Sequence, residues 1–298
     1  MYVIKHTQDL INNLDFIEIE DAQKTAYAKI CLNLGASLQE LTINNLHIIK
    51  NLHPLTYDIT YASSILFPFA NRIEDGRYTF EKKHYQFEIN QTDENNAIHG
   101  LVYNKTFELI DQKTTKDEAM VKLKYDEQNY AKGFPYTYTV ILKYILTKDS
   151  IDLNITVKNT DTKTFPFTIG WHPYFNSSDL FKSSLSFKSN ETIFFNKRNI
   201  TLGIKHIDID DEFMIKDKTL DDCFVLDPNE ILFETPNYSF VLSSSEKDSF
   251  LQLYTPAHPN TIAIEPTTGV SDSFNNGIGL KILKPNDAYN IYWNIKLY

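Results

Sequence analysis

Residues Ser150–Asn159 read SIDLNITVKN, and Ile151, Leu153, Ile155 and Val157 alternate with polar residues without a break. In an extended chain successive side chains point to opposite faces, so this spacing gives a strand with one dry face and one wet face. Residues 136–146 (YTYTVILKYIL) are rich in the β-branched and aromatic residues that suit a pleated surface. Further strands are expected at 26–34, 40–49, 119–125, 238–243, 250–254, 261–265 and 290–298. RYTF and HYQFEI flank EKK as a hairpin with no glycine at its turn. Helical periodicity is nearly absent. DIDDEFMIK (208–216) and SDSFNNG (271–277) have room for a turn or two of helix at most.

Strands recur from about residue 24 to the C-terminus, with no Gly/Ser/Pro-rich linker, no fixed-period repeat and no low-complexity tract. The pattern predicts an all-β protein: one domain over residues 1–298, built as a large antiparallel β-sandwich, with function on loops and on one open sheet face. The competing division is two sandwiches meeting near 112–118 (QKTTKDE). A chain of 298 residues can bury a sizeable core.

Several partners are disfavoured. The net charge of -10, with arginine at positions 72, 77 and 198 alone, predicts no nucleic-acid partner. The N-terminus MYVIKHTQDLINN lacks an apolar signal-like run, and no stretch approaches the roughly 18 apolar residues of a membrane span. Two cysteines, Cys31 and Cys223, are too few for a disulfide framework and suit a reducing compartment. A cytoplasmic protein without a membrane partner is expected.

Four stretches carry residues suited to chemistry. In FPFANRIEDGRY (67–78), Asn71 and Arg72 follow a proline-broken apolar run, where a guanidinium either forms a donor fork in a pocket or covers apolar surface with its stem. In NAIHGLV (96–102), His99 precedes Gly100, which permits close approach of a backbone or a ligand. In TIGWHPYFN (168–176), His172 lies among rings that form either a sugar platform or a core corner. In TIAIEPTTGVSDSFNNG (261–277), Glu265 ends an alternating run that Pro266 is expected to terminate. An imidazole and a carboxylate together suggest acid–base chemistry, provided burial moves their pKa values toward the working pH. There is no G-x-S-x-G, P-loop or G-x-G-x-x-G, and no H-E-x-x-H or H-x-x-x-H spacing supports a metal.

Taken in order, these stretches resemble the aldose 1-epimerase (mutarotase) family. The resemblance runs through Asn71-Arg72-Ile73, Gly76 to Phe80, Tyr85 to Asn90, His99-Gly100 and Gly133-Phe134-Pro135. It continues through Gly170 to Asn176, Asp221 to Phe224, Gln252 to Thr255, Glu265-Pro266-Thr267 and Asp272 to Asn275. It implies a galactose-mutarotase-like β-supersandwich whose open face binds a sugar, with neither cofactor nor metal. His172 would protonate the ring oxygen and Glu265 would take the proton of the C1 hydroxyl. Arg72, His99, Asp221 and Gln252, with Asn71 and Tyr174, would hold the sugar. Asp221 is preferred to Asp222 because its offset to Phe224 matches the family. Phe107 stands where the family often has tryptophan.

The expected activity is therefore the interconversion of the anomers of a free aldohexose. The alternatives are an epimerase of hexose 6-phosphates, which would need a cationic pocket, a non-catalytic sugar-binding module, which would need no acid–base pair, and a metal-dependent sugar enzyme.

Overall fold

The computed structural model describes residues 1–207, 212–227 and 229–298. Among these residues the strands form three main antiparallel sheets and several two-stranded ribbons. The first sheet follows chain order, from Tyr2–Asp9 to Leu46–Ile49. The second has nine strands. At its centre the last strand, Ala288–Leu297, lies between Ser150–Asn159 and Ser239–Ser244. The third has eight and carries Glu191–Phe195, Asp221–Leu226, Ser249–Tyr254 and Thr261–Thr267 side by side.

The alternation in Ser150–Asn159 has the consequence expected of it, since Ile151, Leu153, Ile155 and Val157 are all buried. One cluster of buried apolar side chains extends from Tyr2 to Leu297 and takes in residues of all three sheets. Trp171, on the strand one in from the third sheet's edge, stacks on Trp293 of the second, with centroids 6.3 Å apart. That contact packs the two sheets face to face behind the candidate site.

Three local features differ from the expectations above. Strands begin at Tyr2, not near residue 24: Tyr2–Asp9 pairs with Leu14–Asp21, and the polar run IKHTQD concealed an edge strand with a largely wet outer surface. The EKK hairpin is a two-residue turn at Glu81 and Lys82, with φ of 48° and 63°, joining Arg77–Phe80 to Lys83–Gln86. Both turn residues adopt the left-handed conformation such a turn demands, without glycine. The strand Thr261–Thr267 continues through Pro266. The amides of Ile264 and Thr268 on either side donate to Pro173 O and Ile169 O, so the proline's missing N–H costs the ladder one bond, at the gap between Trp171 and Tyr174.

Helix is confined to single turns among the described residues, including Ser273–Asn276 within SDSFNNG. In DIDDEFMIK, residues 208–211 lie outside the described residues, and Phe213–Met214 is a short strand. Residues 112–118 form a hairpin connection between the paired strands Glu108–Thr114 and Glu118–Glu127. No helix among the described residues is long and apolar enough to cross a membrane.

Candidate active site

Strand register builds one wall of the site. Glu265 is the cross-strand partner of Gln252, Tyr254 pairs with Asp221, and Ala263 faces both Tyr254 and Tyr174. Paired residues share a face, and so do residues two apart on a strand. Asp221, Gln252, Tyr254, Glu265 and Tyr174 are therefore presented together, whereas Asp222 belongs to the opposite face.

The opposite wall comes from irregular backbone. Asn71 and His99 both adopt left-handed conformations, with φ of 58° and 63°. The His99 amide donates to Asn71 O at 2.9 Å, beside the short ladder that pairs Ile98 with Arg72. Gly100 follows with φ +76°, and its Cα presses against the Phe67 backbone, where a Cβ would overlap it. The close approach at Gly100 is thus made by backbone, which leaves the His99 ring turned into the cleft beside Tyr61 and His172. Tyr61 packs edge-on against His99 at 4.8 Å.

His172 occupies the interruption between Gly170–Trp171 and Tyr174–Asn176. Its amide donates to Ser64 O at 3.1 Å and its carbonyl accepts from Ser63 N at 2.8 Å, so its backbone is held on both sides. The ring stacks on Tyr174 at 5.0 Å and meets the His99 ring edge-on at 5.0 Å. Nε2 lies 3.5 Å from Glu265 Oε1, and the two residues are only 5% and 4% exposed. Nδ1 of His172 and Nδ1 of His99 have no hydrogen-bond partner.

A relay of side-chain hydrogen bonds links the walls. Arg72 Nη1 donates to Asn71 Oδ1 at 3.0 Å, Asn71 Nδ2 to Gln252 Oε1 at 3.3 Å, and Gln252 Nε2 to Asp221 Oδ1 at 2.8 Å. Arg72 Nε is taken by Glu94 Oε2 at 2.7 Å and Gln91 Oε1 at 3.1 Å. All eight residues singled out from the sequence line one cleft of about 460 Å³. Glu94, Gln91, Tyr61, Tyr254 and Asp58 also line it and were not anticipated. Tyr254 lay within reach, two residues beyond Gln252 on an alternating strand. Glu94 belongs to a run, TDENN, that reads as an ordinary polar turn.

Burial dominates the electrostatics. It pulls His172 down to about 4 and pushes Glu265 well above the usual carboxylate range, with nearby Asp221 adding to the rise and Arg72 opposing it. His99 is also held well below its ordinary value by burial, then by His172 and Arg72. Asp221 is raised by burial against the opposing pull of Arg72. Among the described residues no three His, Cys, Asp or Glu side chains converge as ligands of an ion. The arrangement can move a proton between a buried base and a buried acid while polar side chains hold a hydroxylated ligand over them.

Residues 17–296 match the sequence profile of the family described as aldose 1-epimerase. The chain belongs to the aldose 1-epimerase family. It is an isomerase of that family, a sugar epimerase by membership. The uncharacterized protein YihR of Escherichia coli is 23% identical over 281 residues, covering 90% of each chain. A galactose mutarotase-like protein of Clostridium acetobutylicum superposes with a TM-score of 0.86 at 21% identity, covering 99% of this chain and 98% of its own. Galactose 1-epimerase of Lactobacillus acidophilus superposes at 0.80 with 16% identity, covering 100% and 98%. The likeness to the two solved structures establishes the fold, which is the galactose-mutarotase-like all-β sandwich.

Proposed function

We propose that this epimerase interconverts the α and β anomers of a free aldohexose, with His172 and Glu265 as the proton-transfer pair. The observation that carries the reading is their contact: Nε2 and Oε1 at 3.5 Å, both groups buried, beneath a cleft of sugar size lined by hydrogen-bonding side chains. His172 is the general acid toward the ring oxygen and Glu265 the general base toward the C1 hydroxyl. Ring opening gives the aldehyde, rotation about C1–C2 follows, and reclosure with the roles exchanged yields the other anomer.

The proton count makes this arrangement effective. The pair holds one proton in either of two forms, imidazolium with carboxylate or imidazole with carboxylic acid. Ring opening converts the first into the second: one proton leaves His172 for the ring oxygen while another leaves the C1 hydroxyl for Glu265. Burial disfavours charge, so it stabilises the neutral form that accompanies the open aldehyde. Arg72, whose charge opposes the rise at Glu265, supports the charged form that must act on the closed ring. No cofactor enters the scheme. Asn71, Arg72, His99, Tyr174, Asp221 and Gln252 hold the sugar hydroxyls and the ring.

A non-catalytic module is the weaker reading, because binding a neutral sugar does not require an acid and a base buried side by side, which is costly to maintain. Residues 1–298 are read as one domain, supported by the buried cluster that spans them. A cytoplasmic location is read from the two buried, unpaired cysteines. The deciding experiment is polarimetry on freshly dissolved α-glucose, α-galactose and α-xylose with and without the protein. Acceleration of glucose or galactose supports the reading, acceleration of xylose alone would move the substrate to a pentose, and no acceleration of any of the three refutes it.

A further inference from the structure

The cleft surrounds its one guanidinium with acid. Among the described residues that line it, Arg72 is the one Lys or Arg, whereas Asp58, Asp93, Glu94, Asp221 and Glu265 are carboxyl groups. Arg72 is already engaged. Its three side-chain bonds use Nε and Nη1, and the shortest is the 2.7 Å ion pair to Glu94.

Glu94 is built into that position. Its second carboxylate oxygen, Oε1, accepts from Asn199 Nδ2 at 3.2 Å. Its backbone is gripped by Arg198, whose Nε donates to Glu94 O at 2.7 Å. Nη2 of Arg198 donates to Asn95 O and Asn96 Oδ1, both at 2.9 Å, and pairs with Asp75 at 2.7 Å. Two of the chain's three arginines thus fix one loop, one from the cleft side and one from behind. None of this is needed to bring His172 to Glu265, so the clamp has another consequence.

We propose that Glu94 is a specificity-determining residue: by holding the cleft's guanidinium it reserves the site for uncharged aldoses and turns away sugars that carry a carboxylate or a phosphate. The proposal rests on the reading of the cleft as an aldose site. An anionic sugar needs an unengaged donor fork. Here the fork is paired, and an incoming anion would add like charge beside Glu94, Asp93 and Asp58. A neutral sugar meets no such cost. Its hydroxyls can donate to these carboxylates, and Arg72 Nη2, which makes none of the three bonds above, can still donate to a hydroxyl.

The test compares Glu94→Gln with Asp93→Asn. The first removes the negative charge from the ion pair yet keeps an acceptor oxygen for Arg72. The second removes the same charge from the same loop without altering that pair. Affinities for glucose, glucuronate and glucose 6-phosphate are measured by NMR titration, and mutarotation of the same sugars by polarimetry. Wild type should favour glucose. Glu94→Gln should shift the affinity ratio toward the two anions by about tenfold or more, the worth of a hydrogen bond to a charged group. Asp93→Asn should shift it much less, and Glu94→Asp, which keeps the charge, should retain the wild-type preference and control for disturbance of the loop. An unchanged ratio in Glu94→Gln, an equal shift in Asp93→Asn, or a wild type that favours the anions overturns the proposal. If no sugar is turned over but the binding preference behaves as stated, the acid–base reading fails and the role of Glu94 stands. If none of the three sugars binds, both fail.

Discussion

His172 Nε2 reaches within 3.5 Å of Glu265 Oε1 because one antiparallel register, with Gly170 opposite Thr267 and Tyr174 opposite Ala263, sets His172 directly across from Glu265. Residues opposite each other across a ladder share a face, so the two side chains project together into the cleft. The carbonyl and amide of His172 are tied to Ser63 and Ser64 on the other edge of its strand, which fixes the backbone that carries the imidazole.

The dependence of rate on pH should be bell-shaped, with His172 setting the acid limb and the proton held with Glu265 the alkaline one. The active pair holds one proton. On the acid side that state ends when His172 takes a second proton, and burial places this near 4, well below free imidazole. On the alkaline side it ends when the shared proton leaves, which burial and Asp221 delay to well above 4.5, the ordinary glutamate value. The limbs are properties of the pair. Stopped-flow polarimetry across pH checks this. An acid limb centred between 6 and 7, as for an exposed histidine with its ordinary value of about 6.5, would contradict the burial argument.

Glu265→Gln should lose about 10²–10⁴-fold in rate, the usual worth of a positioned general base. Sugar affinity should fall far less, because the amide keeps an acceptor oxygen toward the C1 hydroxyl. Polarimetry on the variant, with affinity by NMR titration, separates the two effects. Near-normal turnover would remove Glu265 from the chemistry.

Gly100→Ala and Gly277→Ala should differ sharply in stability. Both glycines have left-handed backbones, with φ of +76° and +79°. Beyond Gly277 a Cβ meets nothing within 4 Å, so alanine there should cost about 1–2 kcal/mol in conformational strain alone. At Gly100 the Cβ would strike the Phe67 backbone, which anchors the turn that carries His99 into the cleft. That variant should lose at least about 2 kcal/mol more, the scale of an overpacked site, or fail to fold. Denaturant melts of the two variants and wild type provide the comparison. Equal losses would show that the Phe67 contact yields easily.

Much of the site was legible because alternation and motif agree. Asp221, Gln252 and Glu265 lie on strands whose period-two pattern is plain in sequence, and adjacent register brings them to one face. Asp221 was preferred to Asp222 on its family offset to Phe224, and the strand register places Asp221 on the face of Gln252 and Glu265. His99 and Arg72 were recognisable by resemblance, yet their positions depend on left-handed residues at Asn71 and His99 that no periodicity reveals. Glu94 was invisible for a different reason. Its importance comes from the ion pair with Arg72, and its placement from Arg198, 104 residues further along the chain, whose guanidinium holds its backbone carbonyl; such long-range contacts leave no local pattern. The first strand was missed because an edge strand needs few apolar residues.

Glu265→Gln should also make the protein more stable while disabling it, and the gain should depend on pH in a defined direction. In the unfolded chain Glu265 titrates near 4.5; in the fold its pKa is raised by burial. A raised carboxylate binds its proton more tightly in the folded state, so its cost to stability is absent below the unfolded value and grows as pH rises above it. Glutamine has no proton to lose and escapes that cost. The difference in Tm between variant and wild type should therefore be small near pH 4 and widen toward neutral pH. His172, which burial lowers, has the opposite sign: its cost appears as pH falls below 6.5 and is shared by both proteins. Calorimetric melts at several pH values, in the absence of sugar, measure the trend. A Tm difference that is constant with pH would mean that Glu265 titrates alike in the folded and unfolded chain, and the argument that burial tunes the proposed proton-transfer pair would fail with it.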